Sequence, residues 1–251
     1  AAVEVVRRMT LTPEHARLLE DDYVLLVAAL ESCTHALGSL RSCSVRNGLL
    51  AIESVTNKIP LTLELEHGFT LVTALMSGKL LTGGPKFISE SATTLVEEVI
   101  KKMDPLLAIE CLRPSTDHKN PHVSDAALCM ASEAFIRVSP AVREEWRHHL
   151  SSSSSSSSAS KGKGKGPRGV VCDLLLLLHK GLSAKWPKGR ALSRQALYSL
   201  RESLGDHPFD IVLGDTLSDI QVIDVHRELR KVTDAINAGS TPFAESKSCF
   251  A

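Results

Sequence analysis

A short loop that carries Lys or Arg, followed by an amphipathic helix, recurs four times along this chain. The copies lie at Leu40-Arg41-Ser42-Cys43-Ser44-Val45-Arg46, Gly84-Pro85-Lys86-Phe87-Ile88, His118-Lys119-Asn120-Pro121-His122-Val123 and Lys185-Trp186-Pro187-Lys188-Gly189-Arg190. Equivalent loops of stacked helical hairpins emerge on the same edge, so the recurrence predicts a repeat architecture with one basic edge. We call this edge the basic ridge and define it by six residues: Arg41, Arg46, Lys86, Lys119, Lys188 and Arg190.

The segment after Pro85 has the clearest helical pattern. Its apolar residues recur at the spacing of a single helix face: Ile88, Ala92, Leu95, Val96, Val99, Ile100 and Met103. Strand signals are sparse, because aromatic residues make up only 4% of the chain and no alternating β-branched stretch persists. The periodicity therefore predicts an all-α protein.

Similar apolar stripes predict three more helices of this kind, and each has a partner helix before it. The stripes lie at 45–55, 123–138 and 192–204, the four partners at 23–34, 68–81, 105–112 and 170–182, and a final pair at 208–213 and 219–236. The two-helix unit recurs every ~40 residues, which is the period of HEAT or armadillo repeats. We therefore predict an α-solenoid of about six HEAT-like helical hairpins.

The period breaks once, between the third and the fourth loop. Residues 151–168 contain a run of serines followed by alternating Lys and Gly. Such a tract has no apolar area to bury, so we expect a disordered insertion there. The predicted organisation is an N-terminal helical segment at 1–20, which completes the first hairpin or belongs to a linker, a repeat array at 21–236 and a C-terminal tail at 237–251.

The charge balance limits the kinds of partner. Lys plus Arg equals Asp plus Glu at 29 each, which argues against a polycation that wraps nucleic acid. The longest apolar run, residues 169–178, is too short to span a bilayer, and the start of the chain has no signal-peptide layout. We expect no nucleic-acid partner and no membrane insertion, and we expect the chain to be one module of a larger protein.

No recognised catalytic or metal-binding motif is present. The six cysteines form no CxxC pair, and most of them fall in apolar helical patterns typical of reduced thiols. His118 and His122 are four residues apart, but Pro121 lies between them and no Cys or carboxylate stands at motif spacing. We therefore expect no enzymatic activity, no cofactor and no metal.

Arg41 and Arg46 flank a predicted helix start that has two interpretations. One is an ordinary N-terminus capped by Ser42 or Ser44, with solvated charges. The other is a partner site, because the helix macrodipole disfavours a cation at an N-terminus, yet every copy of the loop places one there. An acidic partner would relieve that repulsion, so the recurrence favours a binding surface.

Three further residues have predicted roles. Trp186 lies in a loop between Lys185 and Pro187, where it is either an interface anchor or locally packed. Trp146 is expected to pack one repeat on the next. Arg194 falls on the inner part of its helix, where we expect an internal charge-assisted hydrogen bond.

In order and spacing, the four loops resemble those of TOG domains, the HEAT-repeat arrays of microtubule regulators. Residues 38–46 look like the second-loop pattern of the ciliary crescerin branch, roughly Asn-Leu-Arg-Ser-x-Val-Ser-Arg, and residues 85–92 are similar to the third loop, in which Lys or Asn precedes Phe-Ile. Residues 118–123 look like the fourth loop, His-x-Asn-x-x-Val-Arg, with Ser124 at the position of the Arg, and residues 188–194 resemble the fifth loop and the helix after it. The resemblance covers about residues 21–236.

This resemblance implies a module that binds αβ-tubulin or the microtubule lattice through its loops and catalyses nothing. The implied tubulin contacts are Arg41, Ser42, Arg46, Lys86, Lys119, Asn120, Lys188, Arg190 and Trp186. The implied location is the cytoplasm and cytoskeleton, at the axoneme of a cilium or flagellum, where the larger protein would regulate microtubule assembly or stability.

Two other functions compete with this expectation. The first is a generic HEAT or armadillo scaffold that binds a protein through its helical face and leaves the basic loops solvated. The second is a binder of nucleic acid or anionic lipid that uses the Lys-rich end of the tract at 161–168.

Overall fold

The computed structural model describes residues 2–59, 63–152 and 166–240. Helix accounts for 84% of these residues, and none of them lies in a strand, so the predicted all-α class is confirmed. The described chain divides into two compact units, which we call unit 1, up to Met130, and unit 2, from Ala131 onward. No helix in the described part is long and apolar enough to cross a membrane.

Unit 1 is built from short helical hairpins. Its helices are α1 (Ala2–Met9), α2 (Pro13–Asp21), α3 (Tyr23–Leu37), α4 (Ser42–Lys58), α5 (Leu65–Leu75), α6 (Gly78–Leu81), α7 (Lys86–Lys102), α8 (Pro105–Leu112), a 3-10 helix (Arg113–Asp117) and the first part of α9 (Pro121–Ile136). Helix α3 packs against α4, which confirms the hairpin predicted from 23–34 and 45–55, and α5 and α6 pack against α7 in the same way.

The helices of unit 1 form two rows. One row contains α3, α5 and α8, and the other contains α4 and α7 with α1 beside α4. Neighbours within a row run in the same direction: the Tyr23 hydroxyl, at the start of α3, accepts a hydrogen bond from the Glu64 backbone N–H at the start of α5 (3.0 Å). In the other row, Lys102 on α7 donates to the Thr56 carbonyl in the last turn of α4 (2.6 Å).

Unit 2 repeats this arrangement with longer helices. It contains the end of α9, α10 (Pro140–Ser152), α11 (Pro167–Leu182), α12 (Pro187–Leu204), α13 (Asp206–Thr216) and α14 (Asp219–Asn237). The pairs α11 with α12 and α13 with α14 confirm the last two predicted hairpins. Trp146 is buried and stacks on Phe135 of α9 at 6.5 Å between ring centroids, so it is packed internally, while the predicted contact between repeats stays a prediction.

Helix boundaries agree with the sequence where a local signal sets them. Helix α8 spans Pro105–Leu112 as predicted, because Asp104 caps it by accepting from two backbone N–H groups and Pro105 occupies its first turn. The helix predicted at 68–81 is instead two helices, α5 and α6, which are interrupted at Met76 and Ser77.

The predicted insertion lies mostly outside the described residues, which omit 153–165. At its edges Ser151 and Ser152 close α10, while Pro167 and Arg168 open α11, so the two helices extend into the predicted range. The N-terminal segment at 1–20 contains α1 and most of α2, and of the predicted C-terminal tail, residues 241–251 are outside the described part.

Candidate functional site: the basic loops

The first three basic loops lie side by side on one edge of unit 1. We call them loop 1 (residues 38–41), loop 2 (82–85) and loop 3 (118–120). Lys79, in the short helix α6 just before loop 2, donates from Nζ to the Ser39 carbonyl of loop 1 (2.9 Å). Asn120 of loop 3 donates from Nδ2 to the Thr82 hydroxyl of loop 2 (2.9 Å). Side-chain hydrogen bonds therefore join each loop to the next.

These two hydrogen bonds connect residues that are one repeat apart. Lys79 and Ser39 are separated by 40 positions, and Asn120 and Thr82 by 38. The predicted period of ~40 residues places such pairs next to each other in a stack of hairpins. Sequence reasoning missed Lys79, although the period is the signal that could have found it, since a cation one repeat downstream can reach the carbonyls that end α3.

Four cations of the basic ridge are exposed on this edge: Arg41, Arg46, Lys86 and Lys119. The Lys86 side chain is 89% exposed, and its ion pair with Glu90 one turn later (3.6 Å) is also at the surface. An exposed pair of this kind is weak, so the charge of Lys86 remains accessible to a partner.

The helices behind loops 1 and 2 begin without a side-chain cap. The N-cap residues are Arg41 for α4 and Pro85 for α7, and neither makes a side-chain cap hydrogen bond. The prediction that Ser42 or Ser44 caps α4 is therefore wrong, because the helix already begins at Ser42. The backbone N–H groups in the first turns of α4 and α7, with the cations beside them, create a positive potential at both helix starts.

Two large apolar side chains lie among these charges. Leu40, in loop 1, is 94% exposed, and Phe87, in the first turn of α7, is 50% exposed. They stand next in sequence to Arg41 and Lys86 respectively. An exposed apolar side chain next to a cation can serve as a contact in a protein-binding surface.

Asn120 acts within the structure rather than as a free surface group. It is half-buried, and its Oδ1 accepts from the His122 backbone N–H (3.0 Å), which caps the start of α9. His118 Nδ1 in turn accepts from the Asn120 backbone N–H (3.0 Å). These contacts hold loop 3 in place and so position the neighbouring, exposed Lys119.

The fourth loop belongs to unit 2, between α11 and α12. Trp186 is half-buried in this loop, whereas Lys188 and Arg190, which the sequence placed in the loop, are half-buried in the first turn of α12. The Arg190 guanidinium donates from Nη1 to the carbonyls of Ala184 (2.7 Å) and Lys185 (2.8 Å), so it braces the loop. Of the implied contact residues, the structure brings together those at loops 1 to 3 in unit 1. It places Trp186, Lys188 and Arg190 in unit 2.

Arg194 forms an internal ion pair, but the charge-assisted hydrogen bond expected of it is not made, because its buried Nε has no hydrogen-bond partner. Its Nε lies 2.9 Å from Glu228 Oε2 on α14, and the Glu228 side chain is 14% exposed. Burial alone would raise the pKa of Glu228. The hydrogen bond and charge of Lys231, together with the charges of Arg194 and Arg227, outweigh it and hold the pKa below its usual range.

The described residues contain no candidate metal site, and the thiols of Cys33 and Cys111 are buried. No group of three or more His, Cys, Asp or Glu side chains there is arranged to hold a metal ion. Burial raises the pKa of the thiols of Cys33 and Cys111 to about 11, which leaves them protonated at neutral pH. Cys43, beside loop 1, is exposed.

A comparison of the chain with protein-family models, curated proteins and solved structures gives no match.

Proposed function

We propose that this chain is a TOG-like α-solenoid that binds αβ-tubulin or the microtubule lattice through its basic ridge. In this proposal it catalyses nothing and serves as one module of a larger protein that regulates axonemal microtubules in a cilium or flagellum. The proposal rests on the resemblance of four loop segments and on the geometry of loops 1 to 3.

The observation that carries the proposal is the hydrogen-bonded row of loops 1 to 3. Loops that the sequence predicted to share an edge are joined through Lys79 and Asn120, and four cations of the ridge are exposed beside them. A fixed row of cations can match a row of carboxylates on a partner without ordering each loop first, so less conformational entropy is lost on binding.

The charge arrangement favours an acidic partner. The uncapped starts of α4 and α7 point their positive ends toward Arg41 and Lys86. Each exposed contact would contribute modestly, but several together set the association rate, the orientation and the salt dependence of binding. Tubulin has an acidic surface, which fits this expectation.

The test is microtubule co-sedimentation of the wild-type chain beside a variant that carries Lys86→Glu and Lys119→Glu, at two salt concentrations. Each exposed charge pair contributes about 0.2–1 kcal/mol, and reversal adds a repulsion of similar size, so the double variant should bind about tenfold more weakly or worse. The fold should tolerate Lys86→Glu, because an acidic residue is favourable in the first turn of α7.

A matched control carries Arg17→Glu and Lys58→Glu, two exposed cations of unit 1 outside loops 1 to 3. It has the same change in net charge and should pellet like the wild type. Equal loss in both variants would indicate a general charge effect. If the folded wild-type chain neither pellets with microtubules nor co-elutes with tubulin, the proposal is refuted.

A generic helical scaffold is the second candidate. It is favoured by Asn120 and Arg190, two implied contact residues whose side chains are occupied by hydrogen bonds within the structure. In that case both double variants would leave binding to the true partner unchanged. The nucleic-acid or lipid alternative depends on a tract of which 161–165 lie outside the described residues.

A further inference from the structure

An open groove of about 370 Å³ runs between α4 and α7 on unit 1. It is lined by Arg46, Leu49, Leu50 and Glu53 from α4 and by Phe87, Ile88, Ser91 and Leu95 from α7. The volume falls within the range of about 300–1,000 Å³ that is usual for ligand-binding clefts. Five of its eight lining residues are apolar, and charged groups stand only toward its ends.

The electrostatic potential changes sign along the groove. Helices α4 and α7 run in the same direction, since Lys102 near the end of α7 donates to a carbonyl in the last turn of α4. Both N-termini therefore lie at the loop edge, where Arg46 lines the groove. Glu53 stands seven residues further along α4, about 10 Å away along the helix axis. The loop end is thus positive and the far end negative.

The neighbouring carboxylate of Glu90 does not reverse this direction. Lys86, at the loop end, offsets Glu90 through their contact at 3.6 Å. Arg41 adds a further exposed cation at the start of α4. The positive ends of the two helix macrodipoles lie on the same side, so an incoming carboxylate is attracted to the loop end.

We propose that this groove binds an acidic peptide segment of a protein partner, with one large apolar side chain inserted between α4 and α7. The apolar side chain packs against Leu50, Phe87 and Leu95, and a carboxylate next to it pairs with Arg46. An extended peptide rises about 3.3 Å per residue, so three or four of its residues span the groove. The site is independent of tubulin being the partner.

The probe is a blocked octapeptide with Glu residues on one side of a single Phe and neutral Ser and Gly residues on the other, titrated into the full chain labelled with ¹³C at the Leu methyl groups. We expect shifts of the Leu49, Leu50 and Leu95 methyl signals and none for Leu197, in the core of unit 2. Replacing the peptide's Phe by Ala should weaken binding about tenfold, since most of the buried apolar area is lost.

Variants of the chain separate this groove from other basic sites. Ser91→Trp fills the groove and should abolish the shifts, whereas Ser91→Ala leaves it open and should bind like the wild type. Arg46→Ala should weaken binding about threefold, the effect of one exposed charge pair. Lys58→Ala, at the other end of the same helix, is the matched control and should have no effect.

Several results would overturn the proposal. These are the absence of methyl shifts at millimolar peptide, unchanged binding by a folded Ser91→Trp chain, or equal binding of a peptide in which Lys replaces every Glu. Because the assay contains no tubulin, a failure here leaves the microtubule proposal standing, and a failure to pellet with microtubules leaves the groove standing.

Discussion

Gly181 lies at a close approach of two helices in unit 2, and adding one carbon there should have a measurable cost. A Cβ at Gly181 on α11 would lie 2.0 Å from Ser193 Oγ and 3.0 Å from Ser193 Cβ on α12. Rotation of the hydroxyl removes the first clash and breaks its hydrogen bond with Ser132 Oγ (3.0 Å), but the second clash remains. Helices α11 and α12 would therefore have to move apart.

The expected loss follows from three contributions. Overpacking costs about 1–3 kcal/mol and the lost hydrogen bond about 1 kcal/mol, whereas replacing Gly by Ala inside a helix gains up to about 1 kcal/mol. Gly181→Ala should therefore lower the free energy of unfolding of unit 2 by about 1–3 kcal/mol. Gly214, inside α13 with nothing within 4 Å of an added Cβ, is the matched control, and Gly214→Ala should be neutral or stabilising.

The assay is urea unfolding followed by tryptophan fluorescence, because both tryptophans of the chain, Trp146 and Trp186, lie in unit 2. A double-mutant cycle isolates the contact: Gly181→Ala with Ser193→Gly should be at least about 1 kcal/mol more stable than the sum of the single effects. Additive effects, or a Gly181→Ala chain as stable as the wild type, would show that the close approach is not what limits this position.

Three further outcomes are expected. Asn120→Ala removes the cap of α9 and the hydrogen bond to loop 2, so it should cost about 1–2 kcal/mol in urea unfolding followed by circular dichroism, and Asn120→Asp, which keeps the cap, should cost less. A maleimide at neutral pH should label exposed Cys43 in the native chain while Cys33 and Cys111 react only after unfolding, and peptide mass spectrometry would reveal any exception. Because the folded-state pKa of Glu228 lies below its unfolded value near 4.5, its contribution to stability should be present above that pH and be lost as the pH falls through the folded-state pKa. Glu228→Gln should reduce the dependence of the unfolding free energy on pH in this range, measured by urea unfolding at several pH values. An unchanged dependence would contradict the assignment.

Much of the fold could be predicted because its signals are local. The stripe from Ile88 to Ile100 has the period of one helix face, and α7 buries that face in the structure. Asp104 followed by Pro105 sets the start of α8 through a cap and a fixed backbone angle. Boundaries without such a local signal were missed, as at the interruption between α5 and α6.

The candidate site could be predicted only in part. The sequence placed a cation in each loop, but the direction of each side chain depends on neighbours one repeat away. Lys119 is exposed, for example, whereas Arg190 folds back from α12 onto two carbonyls of the preceding loop. Both are basic loop residues in the sequence, and only the surrounding backbone distinguishes them.

The sequence alone determined that this chain is helical and where its basic loops lie, because helix periodicity and turn chemistry depend on residues a few positions apart. The tertiary structure decided which loops are joined, which cations remain accessible and that a groove opens between α4 and α7. These features depend on packing between residues about 40 positions apart, where sub-ångström differences in helix separation decide whether side chains meet or leave a gap.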